Sequence, residues 1–275
     1  MDVILLGTGS PLPSPDRAGP STLVRAAGQN LLFDCGRGVL MRAAAVGLGP
    51  VAITQVFLTH LHSDHVTDFN DLVTSRWALS PLPNPLQVIG PVGTQRFVDR
   101  TLEMLTDDIG YRIAHHDDLT APPEVIVTEV GDGLVYESGS VRVLAQPTDH
   151  APVHPTVGYR VEHEGGSVVI AGDTLPCSGL DTLCANADVY VQTVIRESMI
   201  KMIPFPRLQD VLDYHSTVEQ AGQTAARAGV GTLVLTHPVP PPIPGTEQEW
   251  VDEAKGHFSG TILLGTDLLT VSTNT

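Results

Sequence analysis

Basic residues are scarce in this chain: its 275 residues carry 15 Lys and Arg against 31 Asp and Glu, a formal charge of −16. Coating of DNA or RNA without sequence preference is driven mainly by Lys and Arg, so that class is excluded, although a local phosphate site is not. Cysteine is scarcer still, limited to Cys35, Cys177 and Cys184 with no C-x-x-C pair. Three thiols cannot all be bridged to one another, which points to a reduced, cytoplasmic chain and away from a disulfide-stapled secreted one. Long apolar runs are missing, and none approaches the ~20 residues that span a bilayer. The opening MDVILLGTGS has no basic segment, and its apolar run from Val3 to Leu6 is too short for a signal core. A soluble cytoplasmic protein without a membrane partner is expected.

Other features are plentiful. At 42% hydrophobic and 17% charged residues the chain can bury a real core, and 26 Gly with 22 Pro imply many turns. The length admits one large or two small domains. No shift in composition marks a linker, so a single domain over residues 1–275 is expected. Short apolar runs alternate with turns and helical patterns. Strands are expected at Asp2–Leu6, Ser21–Arg25, Asn30–Asp34, Ile53–Leu58, Leu86–Gly90, Glu124–Glu129, Leu134–Glu137, Ser140–Gln146, Val157–Glu162, Ser167–Gly172, Asp188–Gln192, Thr232–Leu235, Thr261–Leu264 and Leu268–Ser272. Helices are expected at Arg37–Val46, Asp68–Trp77, Gly93–Thr106, Gly179–Ala185 and Val218–Ala228. Strands in both halves with helices between them imply an α/β (α+β) fold of two sheets covered by helices, a four-layer αββα sandwich.

Eleven histidines stand out, and three of them fall inside Thr59-His60-Leu61-His62-Ser63-Asp64-His65 at the end of a buried strand. In extended geometry side chains two apart point the same way, so His60 and His62 can share one metal ion. Asp64 and His65 follow the turn and can face a second. Imidazole with carboxylate suits Zn²⁺, and also Mn²⁺ or Fe. Three later strands deliver a ligand-type residue at their carboxyl ends: Asp149-His150, Gly172-Asp173-Thr174 and Thr236-His237.

With these elements in this order, the chain resembles the metallo-β-lactamase fold superfamily, and within it the branch of ribonuclease Z and arylsulfatase-like hydrolases. Leu6-Gly7-Thr8-Gly9-Ser10, Leu32-Phe33-Asp34-Cys35-Gly36, Gly158-Tyr159-Arg160, Gly172-Asp173-Thr174 and His215-Ser216-Thr217 are similar to ribonuclease Z motifs in matching order. The resemblance implies that His60, His62 and His150 hold one divalent ion, that Asp64, His65 and His237 hold the other, and that Asp173 bridges both. It implies a hydroxide held between two ions that attacks a phosphodiester, with Asp64 as general base. His215 then stabilises the transition state or protonates the leaving oxygen, while Ser216 or Thr217 caps the helix that begins at Val218. Dimerisation is expected by the same likeness.

The resemblance is incomplete in two places. Ribonuclease Z usually carries a long tRNA-gripping arm after the Gly-Tyr-Arg strand, whereas this hairpin turns at Gly165-Gly166. The family also has a His-Glu-Ala type triplet where this chain reads Val191-Gln192-Thr193-Val194, without the carboxylate that pairs with the catalytic histidine; Glu197 is a candidate replacement. The expected substrate is therefore a small anionic ester or a short nucleic acid. Sulfate-ester hydrolysis is the nearest enzymatic rival. A di-iron redox protein and a non-catalytic metal-binding protein are the readings from other classes. Arg196–Pro204 is read either as a lid over an aryl or nucleotide ester or as a packed surface loop, and His154 as a pocket residue or a surface one. His115 and His116 are expected solvated in a loop, and His163 and His257 at the surface.

Overall fold

Period-two burial divides each long strand between two cores. In β1 (Asp2–Gly7), Val3 and Leu5 face one core while Ile4 and Leu6 face another, as alternation across a pleated strand requires. The same sheet takes β2 (Ser21–Ala26), β3 (Gln29–Phe33), β4 (Gln55–Phe57), β5 (Leu86–Gly90) and β6 (Val125–Glu129). A second sheet takes β7 (Gly133–Ser138), β8 (Val141–Pro147), β9 (Val157–His163), β10 (Gly166–Ile170), β11 (Val189–Ile195), β12 (Thr232–Val239) and β13 (Thr261–Leu264), and β14 (Thr270–Ser272) returns to pair with β1. The computed structural model describes residues 1–273, and among them the strand orders are β14-β1-β2-β3-β4-β5-β6 and β13-β12-β11-β10-β9-β8-β7.

The core between the sheets draws on both. Phe33 and Phe57 stack with centroids 4.7 Å apart, and Tyr159 of β9 packs across at 5.6 and 5.3 Å. Such aromatic pairs add about 0.5–1.5 kcal/mol each beyond burial alone. The fully buried Tyr159 hydroxyl donates to the Leu58 carbonyl at 2.7 Å, so this residue of the Gly-Tyr-Arg motif ties the second sheet to the segment just before His60. Its neighbour Arg160 donates to the carbonyls of Leu183 and Ala185, satisfying the end of the helix Ser178–Cys184.

Helices cover both outer faces. The outer face of the first sheet packs on α1 (Val39–Ala45), α3 (Phe69–Leu79) and α4 (Thr94–Met104); the short α2 (Ser63–Val66) lies between β4 and α3, and α5 (Thr106–His115) follows α4. The outer face of the second sheet packs on α6 (Ser178–Cys184), on α9 (Val218–Ala228) and on α10 (Glu247–Lys255), with α7 (Glu197–Lys201) and α8 (Pro206–Gln209) between β11 and α9. The expected αββα layering is the observed one.

Several local expectations need correction. Ile53–Leu58 shrinks to the three-residue β4, because Pro50–Ala52 forms a 3₁₀ turn ahead of it. His115, expected in a loop with His116, ends α5 instead, whose Ile109 and Ile113 lie one turn apart on either side of Gly110. Arg196–Pro204, read as a lid or a packed surface loop, contains a helix, α7. The helix α10 lies in a stretch where no element was expected; its signals are two acids in the first turn and the buried pair Trp250 and Ala254. Finally, β12 continues past Leu235 through His237, for a reason that belongs to the site.

Strands β3 to β6 run parallel, as do β10 to β13. Ligand sites in such sheets form outside the carboxyl ends of the strands. The loops after β4 and β10, the end of β12 and the segment after β8 carry the residues described next.

Candidate metal centre

Leaving the buried β4, the chain passes through Leu58 and Thr59 and places His60, His62, Asp64 and His65 within one turn, Asp64 and His65 lying on α2. Donor atoms of His60, His62, His150 and Asp173 all lie within 4.8 Å of one another, as do those of Asp64, His65 and His237. All seven residues singled out in the sequence thus converge, in two groups. Asp173 sits between them: its Oδ2 is 3.4 Å from His65 Nε2 and 3.9 Å from a ring nitrogen of each of His60, His150 and His237.

His237 reaches the site through a bulge in β12. Thr236 pairs with Thr193 and Val239 with Ile195, so His237 and Pro238 together oppose Val194. The extra residue bends the strand and re-aims the side chain, and His237 takes a φ of 52°, rare for a non-glycine residue. Asp34, just past β3, shares that conformation with a φ of 59°.

The imidazoles are held from behind. His65 Nδ1 donates to Asp34 Oδ2 at 2.7 Å, and Asp34 is itself fixed by the Thr59 amide and hydroxyl, both at 2.8 Å. With its single proton given to Asp34, the Thr59 hydroxyl accepts from His60 Nδ1 at 3.0 Å. His150 Nδ1 donates to the Tyr214 carbonyl at 2.8 Å. In each case Nε2 is left facing the centre. Three atoms there, His60 Nε2, His65 Nε2 and Asp173 Oδ1, are buried with no hydrogen-bond partner among the described residues, and His237 turns its Nε2 to Asp64 at 3.1 Å. An unsatisfied buried polar atom costs about 1–3 kcal/mol, so a protein that gathers three is built for something that satisfies them. Two divalent cations fit that donor set, and Asp34 behind His65 is the outer partner that metal-binding histidines ordinarily have. Within Leu32-Phe33-Asp34-Cys35-Gly36 nothing in the sequence assigns Asp34 a role; its tertiary contact with His65 and Thr59 does.

Electrostatics match for His60, His62 and His150. Burial, reinforced by the charge of His65, holds His60 well below the ordinary histidine value. Burial also lowers His62 and pushes His150 down to about 4. These rings are neutral donors near pH 7, as metal binding requires. Burial opposes ionisation of Asp64 and Asp173, yet both stay below the usual carboxylate range. For Asp64 the hydrogen bond from His237 and the charge of His65 prevail; for Asp173 the charges of His237 and His65 do so. His65 lies well above the ordinary value, because Asp173 and Asp34 outweigh its burial.

His215 stands over Asp173, with Nε2 3.1 Å from Oδ2. Ser216 anchors it by donating from both its amide and its hydroxyl to the Thr174 carbonyl. Thr217 caps α9 in a reciprocal box with Gln220, as the helix-start reading anticipated. Glu197 does not replace the missing carboxylate: it pairs with Lys201, while His215 Nδ1 donates to the Val211 carbonyl at 3.0 Å. Gln192 is buried and turned to Tyr190 and Thr193. His154 is exposed and gives no donor to either group. The remaining histidines lie apart: His115 and His116 are exposed, His163 contacts Ser140, and His257 lies 3.8 Å from Glu219.

Comparison with known proteins agrees with this geometry. Residues 29–238 match the β-lactamase superfamily domain. A ribonuclease Z of Mycobacterium avium (strain 104) is 57% identical over 270 residues, covering 98% of this chain and 96% of that one. One from Mycobacterium tuberculosis (strain H37Rv) is 53% identical over the same length, with the same coverage. Among solved structures, the short form of human tRNase Z superposes with a TM-score of 0.75 at 24% identity, over 100% of both chains. The metallo-β-lactamase fold protein YhfI of Bacillus subtilis also gives 0.75, at 22% identity and 98% of each chain. Because the M. avium protein aligns almost end to end with this chain, the short hairpin at Gly165-Gly166 does not set it apart from that relative. The chain belongs to the β-lactamase superfamily and, within it, to the ribonuclease Z family.

Proposed function

We propose that the protein is a metal-dependent phosphodiesterase that cleaves RNA, the reaction for which its ribonuclease Z relatives are named. The observation that carries this reading is the pair of donor groups, seven residues with three unpartnered buried atoms, around Asp173. Held by His60, His62 and His150 on one side, by Asp64, His65 and His237 on the other, and by Asp173 between, two divalent ions would supply Lewis-acid charge to an anionic diester and acidify a water near neutral pH. Zinc is the ion these donors suit best, with manganese or iron also compatible.

The chain's own residues do the rest. Asp64, whose carboxylate lies below the usual range and 3.1 Å from His237 Nε2, takes the proton of the attacking water. His215 has Nδ1 fixed by the Val211 carbonyl, which directs Nε2 at the reacting region; its pKa is raised, burial being outweighed by Asp173. That proton serves the leaving oxygen. Three free cysteines, two of them buried, support a reducing cytoplasmic setting, and a homodimer is the assembly the family likeness favours. No helix among the described residues is long and apolar enough to cross a membrane.

The test is a parallel assay of a hairpin RNA with a single-stranded 3′ trailer, bis(p-nitrophenyl) phosphate, p-nitrophenyl sulfate and a lactone, with Zn²⁺ or Mn²⁺ supplied. Cleavage of both phosphodiesters is expected. Turnover of the sulfate with neither phosphodiester touched would replace the reading with a sulfatase, and a reducible iron signal without hydrolysis would replace it with a redox protein.

A further inference from the structure

An acidic protein that cleaves RNA must still hold a polyanion, and this chain has few cations with which to do it. Most are spent inside the fold. Arg42 pairs with Asp267, Arg196 with Glu249 and Glu253, Arg227 with Asp181, and Arg76 is bonded to main-chain carbonyls. With 31 acids against 15 bases, every arginine has a carboxylate to spare. Among the described residues, Arg37, Arg96, Arg100 and Arg207 are nevertheless the cations whose side chains make no hydrogen bond or ion pair, and all four are exposed.

Their placement is not scattered. Arg96 opens α4 beside the metal loop: the point where a Cβ on Gly93 would sit is 3.4 Å from Leu61 Cδ1 and 3.8 Å from Arg96 Nη2, and Leu61 lies between His60 and His62. Arg100 is on the same face one turn on, about 6 Å further along the axis. The acid between them, Asp99, is engaged by Gln95 instead. Arg37 follows the turn in which Gly19 and Gly36 pack on the Asp64 carbonyl, and its own carbonyl accepts from the Gly19 amide at 2.7 Å. Arg207 lies on α8, directly ahead of the 3₁₀ turn whose Val211 carbonyl orients His215. Three of the four therefore stand on segments that build the site, and the fourth extends the line of Arg96.

We infer that these free arginines are the phosphate contacts of the RNA substrate. Arg96 and Arg100 carry the strand that leaves the metal centre past Leu61, and Arg37 and Arg207 flank the reacting phosphate on the other segments. Local cation supply in place of a basic surface reconciles a charge of −16 with a nucleic-acid substrate. The inference rests on the RNA-cleaving reading above.

The experiment compares the full-length metal-loaded protein with Arg96→Ala/Arg100→Ala, Arg207→Ala and Arg96→Lys/Arg100→Lys. The control is Arg142→Ala, which removes an exposed cation already paired with Glu137 and Glu162. The kcat/KM for hairpin RNA is divided by that for bis(p-nitrophenyl) phosphate, from 50 to 200 mM salt. For the double alanine variant this ratio should fall about tenfold, through KM, and the log–log salt slope should flatten by about 1–2. Arg207→Ala should shift both in the same direction by less, and the lysine pair should recover most of the loss. Arg142→Ala should leave ratio and slope in place. A double alanine variant with the wild-type ratio and salt slope overturns the inference. A wild type that cleaves the small diester but no RNA overturns the RNA reading itself, and the inference falls with it.

Discussion

Two regions of this molecule differ in an instructive way. A cavity of about 370 Å³ lies between α3, the Pro81–Pro85 turn, α5 and the start of β6. Among the charged groups that line it, Arg76 is almost fully buried, but it is bonded to the Ile53 carbonyl at 2.7 Å, the Pro50 carbonyl at 3.0 Å and Asn84 Oδ1 at 2.6 Å. Beside the metal centre a cavity of about 20 Å³ lies behind Asp34 and His65, and three polar atoms of the centre have no partner among the described residues. Space marks the first region and unmet bonding capacity marks the second. Chemistry is carried by the second, because buried polar atoms left unpaired cost stability that only a bound group returns.

That contrast can be broken by mutation. The largest effect is expected at Asp64→Ala, which removes both a donor and the proton acceptor: kcat/KM for bis(p-nitrophenyl) phosphate should fall by roughly 10³-fold or more. Retention of wild-type turnover would break the contrast outright. Asp34→Asn leaves all seven donors in place but weakens the hold on His65, so metal affinity or kcat/KM should drop about 10–100-fold. Titration with Zn²⁺ alongside kinetics separates the two. On the other side, Arg76→Met should cost about 2 kcal/mol by stranding its carbonyl partners, seen as a lower urea midpoint. Below the unfolding range its kcat/KM should match wild type, and a selective loss of activity would mean the large cavity is functional after all. Thr217→Ala should be the mildest, about 1 kcal/mol from the lost helix cap, read as a drop of a few degrees in Tm.

Legibility in the sequence follows the same division. The seven donors could be read because each is a ligand-type side chain at the end of an apolar run, and His60 to His65 crowd into six residues. Layering was legible because short apolar runs such as those of β1 and β10 recur in both halves with helical patterns between them. What could not be read depends on tertiary neighbours or on the main chain. Asp34 is one acid among 31 until Thr59 and His65 close on it. The group that orients His215 is the carbonyl of Val211, an atom every residue possesses, so its side chain gave no sign. Reading β12 as ending at Leu235 missed the bulge, since a left-handed histidine has no compositional mark. The helices α7 and α8 were hidden by brevity and flanking prolines, and α5 by Gly110 in its middle.

The central claim, that the two donor groups form a two-metal hydrolytic centre, is tested most directly by metal content per chain. The measurement is elemental analysis of the purified protein after dialysis against micromolar Zn²⁺, repeated for Asp173→Ala and run beside hydrolysis of bis(p-nitrophenyl) phosphate. Two equivalents in the wild type are predicted, with loss of at least one equivalent and of activity together in Asp173→Ala. Wild-type protein that hydrolyses the diester while holding no metal, or an Asp173→Ala variant that keeps two equivalents and full activity, would contradict the account.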